Sequence, residues 1–122
     1  MKILIIDDED DIRAISRLAL GRVGGMDVVE AASGSDGIAK AVTEAPDAIL
    51  LDVMMPEQDG PATLALLKAD PRTAGIPVIF LTAKAMGSEV ERLRTLGANG
   101  VLTKPFDPMS LAASVRAILG MR

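Results

Sequence analysis

Short apolar runs alternate with segments of helical periodicity along this chain of 122 residues. Ile3-Leu4-Ile5-Ile6 is a continuous apolar run, as expected for a strand that is buried on both faces. Residues 10–23 then carry apolar side chains at helical spacing, and Gly24-Gly25 ends that helix. The same succession recurs five times. Because strands that alternate with helices form parallel sheets covered on both faces, the sequence predicts an α/β domain with a doubly wound, five-stranded parallel sheet.

The remaining elements are predicted from the same two periodicities and from helix caps. Ser33 and Asp59 are expected to cap the second and third helices, and Ser88 and Asp107 the fourth and fifth. The later strands are expected at residues 28–29, 48–51, 77–81 and 101–102. Neither a linker nor a repeat is found, so we expect one domain to fill residues 1–122.

Composition limits the possible functions. The net charge is −4, from 13 basic and 17 acidic residues, which gives a nucleic-acid-binding role no electrostatic support. The chain has no histidine, so a phosphoryl-carrying histidine and a histidine general base are both excluded. It also has no cysteine, its apolar runs are only strand-sized, and no signal peptide precedes the first strand. We therefore expect a soluble protein of the cytoplasm.

Polar side chains follow four of the five predicted strands. Asp7-Asp8-Glu9 follows the first strand, Asp52 the third, Thr82 the fourth and Lys104 the fifth. In an open parallel sheet, ligands bind beyond the carboxyl ends of the strands. We therefore expect these carboxylates, the hydroxyl and the ammonium to lie together at one edge of the sheet.

This set of groups suits phosphoryl transfer to a carboxylate. Clustered carboxylates repel one another, and a hard divalent cation such as Mg²⁺ relieves that repulsion because it prefers carboxylate oxygens. One carboxylate could then attack phosphorus as a nucleophile. The cation, Lys104 and a hydroxyl would stabilise the charge on the equatorial oxygens in the transition state. Spacing alone does not tell which aspartate attacks.

Four motifs, each just past a predicted strand, together resemble the receiver domain of bacterial response regulators. The resemblance covers the whole chain and implies a flavodoxin-like sheet with strand order 2-1-3-4-5. It also implies a signalling module, not an enzyme, which catalyses only its own phosphorylation and dephosphorylation. The motifs are Ile5-Ile6-Asp7-Asp8-Glu9, Leu51-Asp52-Val53-Met54-Met55-Pro56 with Asp59-Gly60, Leu81-Thr82-Ala83 and Lys104-Pro105-Phe106.

The resemblance assigns the metal and the acceptor by position. It implies that Asp52 is the phosphoacceptor and that the cation is Mg²⁺ or Mn²⁺. It implies that Asp8 binds this cation directly, that Asp7 binds it directly or through water, and that Asp52 and the backbone carbonyl of Met54 complete the site.

The resemblance also implies roles for groups beside the acceptor. Thr82 is expected to hydrogen-bond the phosphoryl group, and Lys104 to pair with a phosphoryl oxygen or with Asp52. The bond between Lys104 and Pro105 is expected to be cis. Met54 and Lys84 occupy positions at which the family tunes dephosphorylation.

One position departs from the family pattern. Where the family often has an aromatic residue or histidine whose ring follows the threonine inward, this chain has Val101. Valine is short and β-branched, so it cannot move as a ring would. Two outcomes remain open: the loop after Thr82, with Lys84 and Met86, carries the conformational signal, or the protein relays phosphoryl groups and needs little conformational output. The backbone freedom of Gly87 favours the loop.

The implied partners lie outside the chain. The phosphoryl donor is expected to be a histidine kinase or a histidine phosphotransfer protein, because the chain itself has no histidine. The output is expected to be contact with a downstream protein target or with a tethered output domain, without direct binding of nucleic acid or membrane.

Two other functions are weighed against the receiver. A Mg²⁺-dependent phosphohydrolase with an aspartyl nucleophile usually needs a second acid two residues beyond the nucleophile, and this chain has Met54 there. A flavodoxin-like FMN carrier would need a phosphate loop rich in glycine and hydroxyl groups after the first strand, and aromatic residues beside the ring. This chain has acids after the first strand and neither Trp nor Tyr, so the receiver is favoured over both.

Overall fold

The computed structural model describes residues 1–83 and 86–120. Within these residues strands and helices alternate, and a π-helical segment at Leu18–Val23 continues the first helix. The strands are β1 (Lys2–Ile6), β2 (Asp27–Ala31), β3 (Ala48–Asp52), β4 (Val78–Thr82) and β5 (Gly100–Thr103). The helices are α1 (Asp10–Arg17), α2 (Gly34–Glu44), α3 (Gly60–Ala69), α4 (Gly87–Thr95) and α5 (Leu111–Ile118).

The strands form one parallel sheet in the order β2-β1-β3-β4-β5, which confirms the predicted fold. β1 pairs with β2 on one side and with β3 on the other, so that Ile6 lies opposite both Ala31 and Leu51. Asp52 stands opposite Leu81, and Thr82 opposite Thr103. The register therefore brings the carboxyl ends of β1, β3, β4 and β5 to the same edge of the sheet.

Alternate residues of the strands pack into two hydrophobic cores, one on each face of the sheet. Leu4 and Ile6 of β1 face the core beneath α2, α3 and α4. Ile3 and Ile5 face the core formed with the π-helical segment and α5. Strands buried on both faces are expected to be apolar throughout, and this explains why β1 reads as an unbroken apolar run.

The first helix and the second strand differ in extent from their predictions. The predicted helix over residues 10–23 is an α-helix only to Arg17 and then widens, with the amide of Gly24 donating to the carbonyl of Ala19 at 3.1 Å. The second strand is longer than residues 28–29. All five residues of β2 pair with β1, because backbone pairing continues past the two valines that carry the sequence signal.

Two of the four predicted helix caps are confirmed. Ser33 Oγ accepts from the amide of Asp36 at 3.1 Å, and Asp59 Oδ1 from that of Ala62 at 2.9 Å. The other two are wrong. Ser88 lies inside α4, which starts one residue earlier. Asp107 instead closes a turn ahead of α5, where Oδ1 accepts from the amide of Met109 at 2.9 Å.

The start of α3 is pressed against the backbone that leaves β3. The amide of Gly60 donates to the carbonyl of Val53 at 2.9 Å. A Cβ atom at Gly60 would lie 2.4 Å from the carbonyl oxygen of Asp52 and 2.8 Å from Cα of Val53. Since both contacts are with backbone atoms, a change of side-chain rotamer cannot relieve them.

In residues 1–83 and 86–120, none of the helices has both the length and the apolar character that crossing a bilayer would require.

We predict that Gly60→Ala destabilises the protein by ~1–3 kcal/mol, because the added methyl group displaces the backbone of Asp52 and Val53. Gly87→Ala is the matched control, since Gly87 is likewise the first residue of its helix and its added Cβ would meet nothing within 4 Å. Removing glycine flexibility there should stabilise by about 0.4–1 kcal/mol. Urea unfolding of both variants measures the difference, and equal effects would contradict the prediction.

Candidate metal centre at the carboxyl ends of the strands

The polar groups predicted to converge do so at one edge of the sheet. Asp7 follows the last residue of β1, Asp52 ends β3, and Lys104 follows β5. The two aspartates are buried, with 1% and 4% of their surface exposed. The strand order is responsible, because it sets β3 beside β1 and brings the end of β5 within reach of a long lysine side chain.

The Lys104 ammonium is the centre of this cluster. Nζ donates to Asp52 Oδ1 at 3.1 Å and to Glu9 Oε1 at 3.4 Å, and lies 3.0 Å from Asp7 Oδ2. The Lys104 side chain is only 13% exposed. Its single positive charge therefore faces three carboxylates, two of them buried, and leaves the cluster with excess negative charge.

Asp7 is held at several points. Its amide donates to the carbonyl of Ala31 at 3.1 Å, and its carbonyl accepts from Arg13 Nη1 at 2.6 Å. Its Oδ1 accepts from the amide of Glu9 at 2.9 Å. Only Oδ2 has no hydrogen bond of good geometry among the described residues, although it lies beside the Lys104 ammonium.

Burial and charge repulsion make Asp52 a weaker acid than usual. Burial is the largest cause that raises the pKa of Asp52 from 3.8 to about 6, and the negative charge of Asp7 adds to it. The ammonium of Lys104 and the backbone amide of Met54 act in the opposite direction, and together they are weaker. Asp52 is therefore ionised at neutral pH at a cost in folding free energy.

The pKa values of the two neighbours shift for related reasons. Burial raises the pKa of Asp7, although the amide of Glu9 and the Lys104 ammonium oppose it. Burial alone would lower the pKa of Lys104, but its hydrogen bond to Asp52 and its charge pairs with Asp7 and Asp52 outweigh burial and raise it. Lys104 is therefore a permanent cation here.

The acids at this edge fit a divalent cation. Oxygen atoms of Asp7, Asp8, Glu9 and Asp52 all lie within 4.8 Å of one another. Asp52 Oδ2 is buried and has no hydrogen-bond donor among the described residues, and Asp7 Oδ2 has only its ion pair with Lys104. Buried carboxylate oxygens with so few partners are costly, and a hard cation such as Mg²⁺ would satisfy them. The donor set is therefore compatible with Mg²⁺.

The other predicted site residues lie around this cluster. Asp8 is exposed beside it, and Met54 follows β3 with 72% of its surface exposed. Thr82 is buried at the end of β4, and its carbonyl accepts from the amide of Lys104 at 2.8 Å. The bond between Lys104 and Pro105 is cis, as predicted.

Three positions were considered for signal output. Met86 immediately precedes α4 and has 74% of its surface exposed. Val101 is half-buried on β5, opposite Phe80, and packs against the core beneath α2, α3 and α4. Lys84 lies outside the described residues, so its predicted part in dephosphorylation and signalling stays a prediction.

Two contributors to the site were missed by the sequence analysis. Glu9 was read only as part of an acidic run, and its contact with Lys104 spans 95 residues, which no local spacing reveals. Arg13 has no sequence signal beyond being a basic residue within a helix, yet it binds the carbonyl of Asp7.

Comparison with known proteins agrees with this geometry. Residues 3–116 match the family model of the response regulator receiver domain. The chain therefore belongs to the response regulator receiver family, whose members are signalling modules of two-component systems and are not classed as enzymes.

Individual relatives match over nearly the whole chain. The chain is 42% identical to the DNA-binding dual master transcriptional regulator RpaA of Synechocystis sp. over 120 residues, which is 97% of this chain and 48% of RpaA. It is 36% identical to protein PilG of Pseudomonas aeruginosa over 117 residues, which is 96% of this chain and 86% of PilG. The chain spans about half the length of the curated transcriptional regulators that it matches.

A solved structure shows the same fold. The chemotaxis response regulator CheY4 of Vibrio cholerae matches with a TM-score of 0.89 at 29% identity, covering 96% of this chain and 97% of CheY4. The likeness therefore extends to the arrangement of all the elements that carry the site.

We predict that Asp52→Asn stabilises the protein at pH 7 in the presence of a chelator, by at most ~3 kcal/mol. The folded-state pKa of Asp52 is above its ordinary value, so the folded state binds the extra proton between pH 3.8 and about 6. Stability contributed by this group is thus lost as pH rises through that window, and the asparagine variant escapes the loss.

Urea unfolding of wild type and variant at pH 4 and pH 7 tests this sign. The gain should be small at pH 4 and largest at pH 7. Asp11→Asn, which removes an exposed acid in the first turn of α1, is the control and should show no such growth with pH. A variant less stable than wild type at pH 7 would contradict the prediction.

Proposed function

We propose that Asp52 accepts a phosphoryl group from a phosphohistidine of a histidine kinase or a histidine phosphotransfer protein, in a reaction that depends on Mg²⁺ or Mn²⁺. The observation that carries this proposal is the bridge made by the Lys104 ammonium between Asp7 Oδ2 and Asp52 Oδ1, which leaves the buried Asp52 Oδ2 without a hydrogen-bond donor among the described residues. Asp52 Oδ2 is therefore available to a cation or to phosphorus, and Asp7 Oδ2 is held only by its ion pair with the ammonium.

Asp52 is suited to act as the nucleophile. With a pKa of about 6 it is ionised at neutral pH, yet it is more basic than an exposed aspartate. One of its oxygens attacks phosphorus as the bond between phosphorus and the donor nitrogen breaks. The electron pair of that bond leaves with the imidazole, and Asp52 becomes an acyl phosphate.

The side chains around Asp52 would bind the divalent cation and stabilise the charge of the phosphoryl group. Asp7 and Asp8 would hold the divalent cation together with Asp52 and the carbonyl of Met54. When bound, the cation supplies positive charge to the phosphoryl oxygens. Lys104 already lies 3.1 Å from Asp52 Oδ1, so its ammonium can pair with a phosphoryl oxygen after a small movement.

The hydroxyl of Thr82 is proposed to donate a hydrogen bond to an oxygen of the phosphoryl group. Thr82 ends β4, the strand between those that carry Asp52 and Lys104, and its carbonyl is joined to the amide of Lys104 at 2.8 Å. A shift of Thr82 toward the phosphoryl group would therefore act on the backbone of the β5 end as well.

The alternative of a phosphohydrolase is not favoured. Met54 occupies the place where such an enzyme needs its second acid, and the family to which the chain belongs consists of signalling modules. We propose that the only chemistry catalysed is transfer onto and loss from Asp52 itself. Output is proposed to pass to a protein target or a tethered output domain, in the cytoplasm.

We predict that Mg²⁺ raises the melting temperature, because binding relieves the repulsion among the acids. Asp8→Ala should weaken Mg²⁺ binding by roughly tenfold or more, because loss of a direct ligand should cost at least as much as loss of an outer partner. Asp11→Ala removes an exposed acid three residues farther along the chain and should leave the affinity nearly unchanged. Calorimetric titration with Mg²⁺ measures both, and equal affinities for Asp8→Ala and wild type would refute the ligand assignment.

We predict that acetyl phosphate with Mg²⁺ adds one phosphoryl group to Asp52. An acyl phosphate is cleaved by hydroxylamine, unlike the phosphate ester of a serine or threonine. Borohydride trapping followed by mass spectrometry should mark Asp52, and Asp52→Asn should abolish the label. Asp59→Asn, which changes a helix cap outside the cluster, should keep it. A hydroxylamine-stable phosphate on Thr82 would disprove the assignment, and steady turnover of phosphomonoesters would favour the phosphohydrolase.

A further inference from the structure

Arg13 lies next to the acidic cluster, but the proposed phosphoryl transfer gives it no role. It lies on α1 with only 15% of its side chain exposed, although a helical arginine usually extends into solvent. It is therefore held in place by specific contacts.

The guanidinium of Arg13 joins three segments of the chain. Nη1 donates to the carbonyl of Asp7 at 2.6 Å, Nη2 binds the carboxylate of Asp10, and Nε lies 3.7 Å from Glu30 Oε1. Glu30 lies on β2 and also pairs with Arg17 at 2.6 Å. Arg13 therefore connects the acidic turn after β1 both to the start of α1 and to the end of β2.

The carbonyl of Asp7 needs such a donor. Pairing of β1 with β2 and with β3 ends at Ile6, so the carbonyl of the next residue lies beyond the strand pairings. Asp7 is 1% exposed, and a buried carbonyl without a donor costs free energy. The planar fork of arginine presents donors in fixed directions, so Arg13 binds this carbonyl and the carboxylate of Asp10 at the same time.

The consequence is a fixed direction for one carboxylate oxygen. Ala31 fixes the amide of Asp7, Arg13 its carbonyl and Glu9 its Oδ1, so rotation about the Asp7 side chain is restricted. What remains is Oδ2, which is buried and lies 3.0 Å from the Lys104 ammonium at the centre of the acidic cluster. An oxygen held in place before binding loses less entropy when a cation arrives.

We propose that Arg13 is a positioning residue for the cation site, which aims Asp7 Oδ2 by binding the Asp7 carbonyl. The inference rests on the proposed function, since it assumes that these acids hold a divalent cation. Partners that orient metal ligands from outside typically change metal affinity 10–100-fold when they are removed.

Charge alone predicts the opposite sign, and this makes the proposal testable. Removing a positive charge near a cation site should tighten cation binding. Positioning predicts that Arg13→Met weakens it, by roughly tenfold in the Mg²⁺ dissociation constant. Arg17→Met is the matched control, because Arg17 carries the same charge on the same helix and also pairs with Glu30, without touching Asp7.

The experiment is calorimetric titration of the chain with Mg²⁺ alone, which needs no phosphoryl transfer. Weaker binding by Arg13→Met with unchanged or tighter binding by Arg17→Met supports the proposal. Unchanged or tighter binding by Arg13→Met overturns it, and so does equal weakening by both variants. If Arg13→Met does not fold, Arg13→Gln is judged by the same criteria.

A second readout follows the turn directly. The amide of Glu9 should exchange with deuterium faster in Arg13→Met than in Arg17→Met without Mg²⁺, because its acceptor on Asp7 is no longer held. Equal exchange would count against the proposal. If wild type bound no Mg²⁺, the proposed function would fail. If wild type bound Mg²⁺ and Arg13→Met bound it equally well, only this inference would fail.

Discussion

The interaction on which the site depends is the contact of one ammonium with three carboxylates. Lys104 lies within 3.4 Å of oxygen atoms from Asp7, Asp52 and Glu9, and the first two are buried. Two carboxylates cannot be buried side by side without a compensating charge. Lys104 therefore partly offsets the repulsion between the buried acids. Its single charge does not neutralise the cluster, and the raised pKa of Asp52 reflects the negative charge of Asp7 as well as burial.

The residues around the acidic cluster include several features that usually destabilise a folded protein. Glu9 is the N-cap of α1, a position that favours short oxygen-bearing side chains, yet its carboxylate makes no capping hydrogen bond and extends to Lys104 instead. Two buried carboxylate oxygens lack hydrogen-bond partners among the described residues. Departures of this kind are expected where function costs stability, and here they occur around the proposed phosphoacceptor.

The fold could be predicted largely from the sequence because its signals are local. A strand buried on both faces must be apolar throughout, and Ile3-Leu4-Ile5-Ile6 and Ala48-Ile49-Leu50-Leu51 show this directly. Helix starts were predicted less well. Ser88 and Asp107 have suitable side chains, but α4 starts at Gly87 and α5 at Leu111, because a suitable capping side chain alone does not decide where a helix begins.

The sequence by itself determined that acids, a hydroxyl and a lysine follow the ends of successive parallel strands, and therefore that they share one edge of the sheet. It also determined the family, because four motifs occur in register along the chain. Only the tertiary structure decided which of these groups touch. The contact of Lys104 with Glu9 and that of Arg13 with the carbonyl of Asp7 depend on strand order and on side-chain reach. The burial that raises the pKa of Asp52 depends on packing over the strand ends, which arises only when the whole sheet has formed.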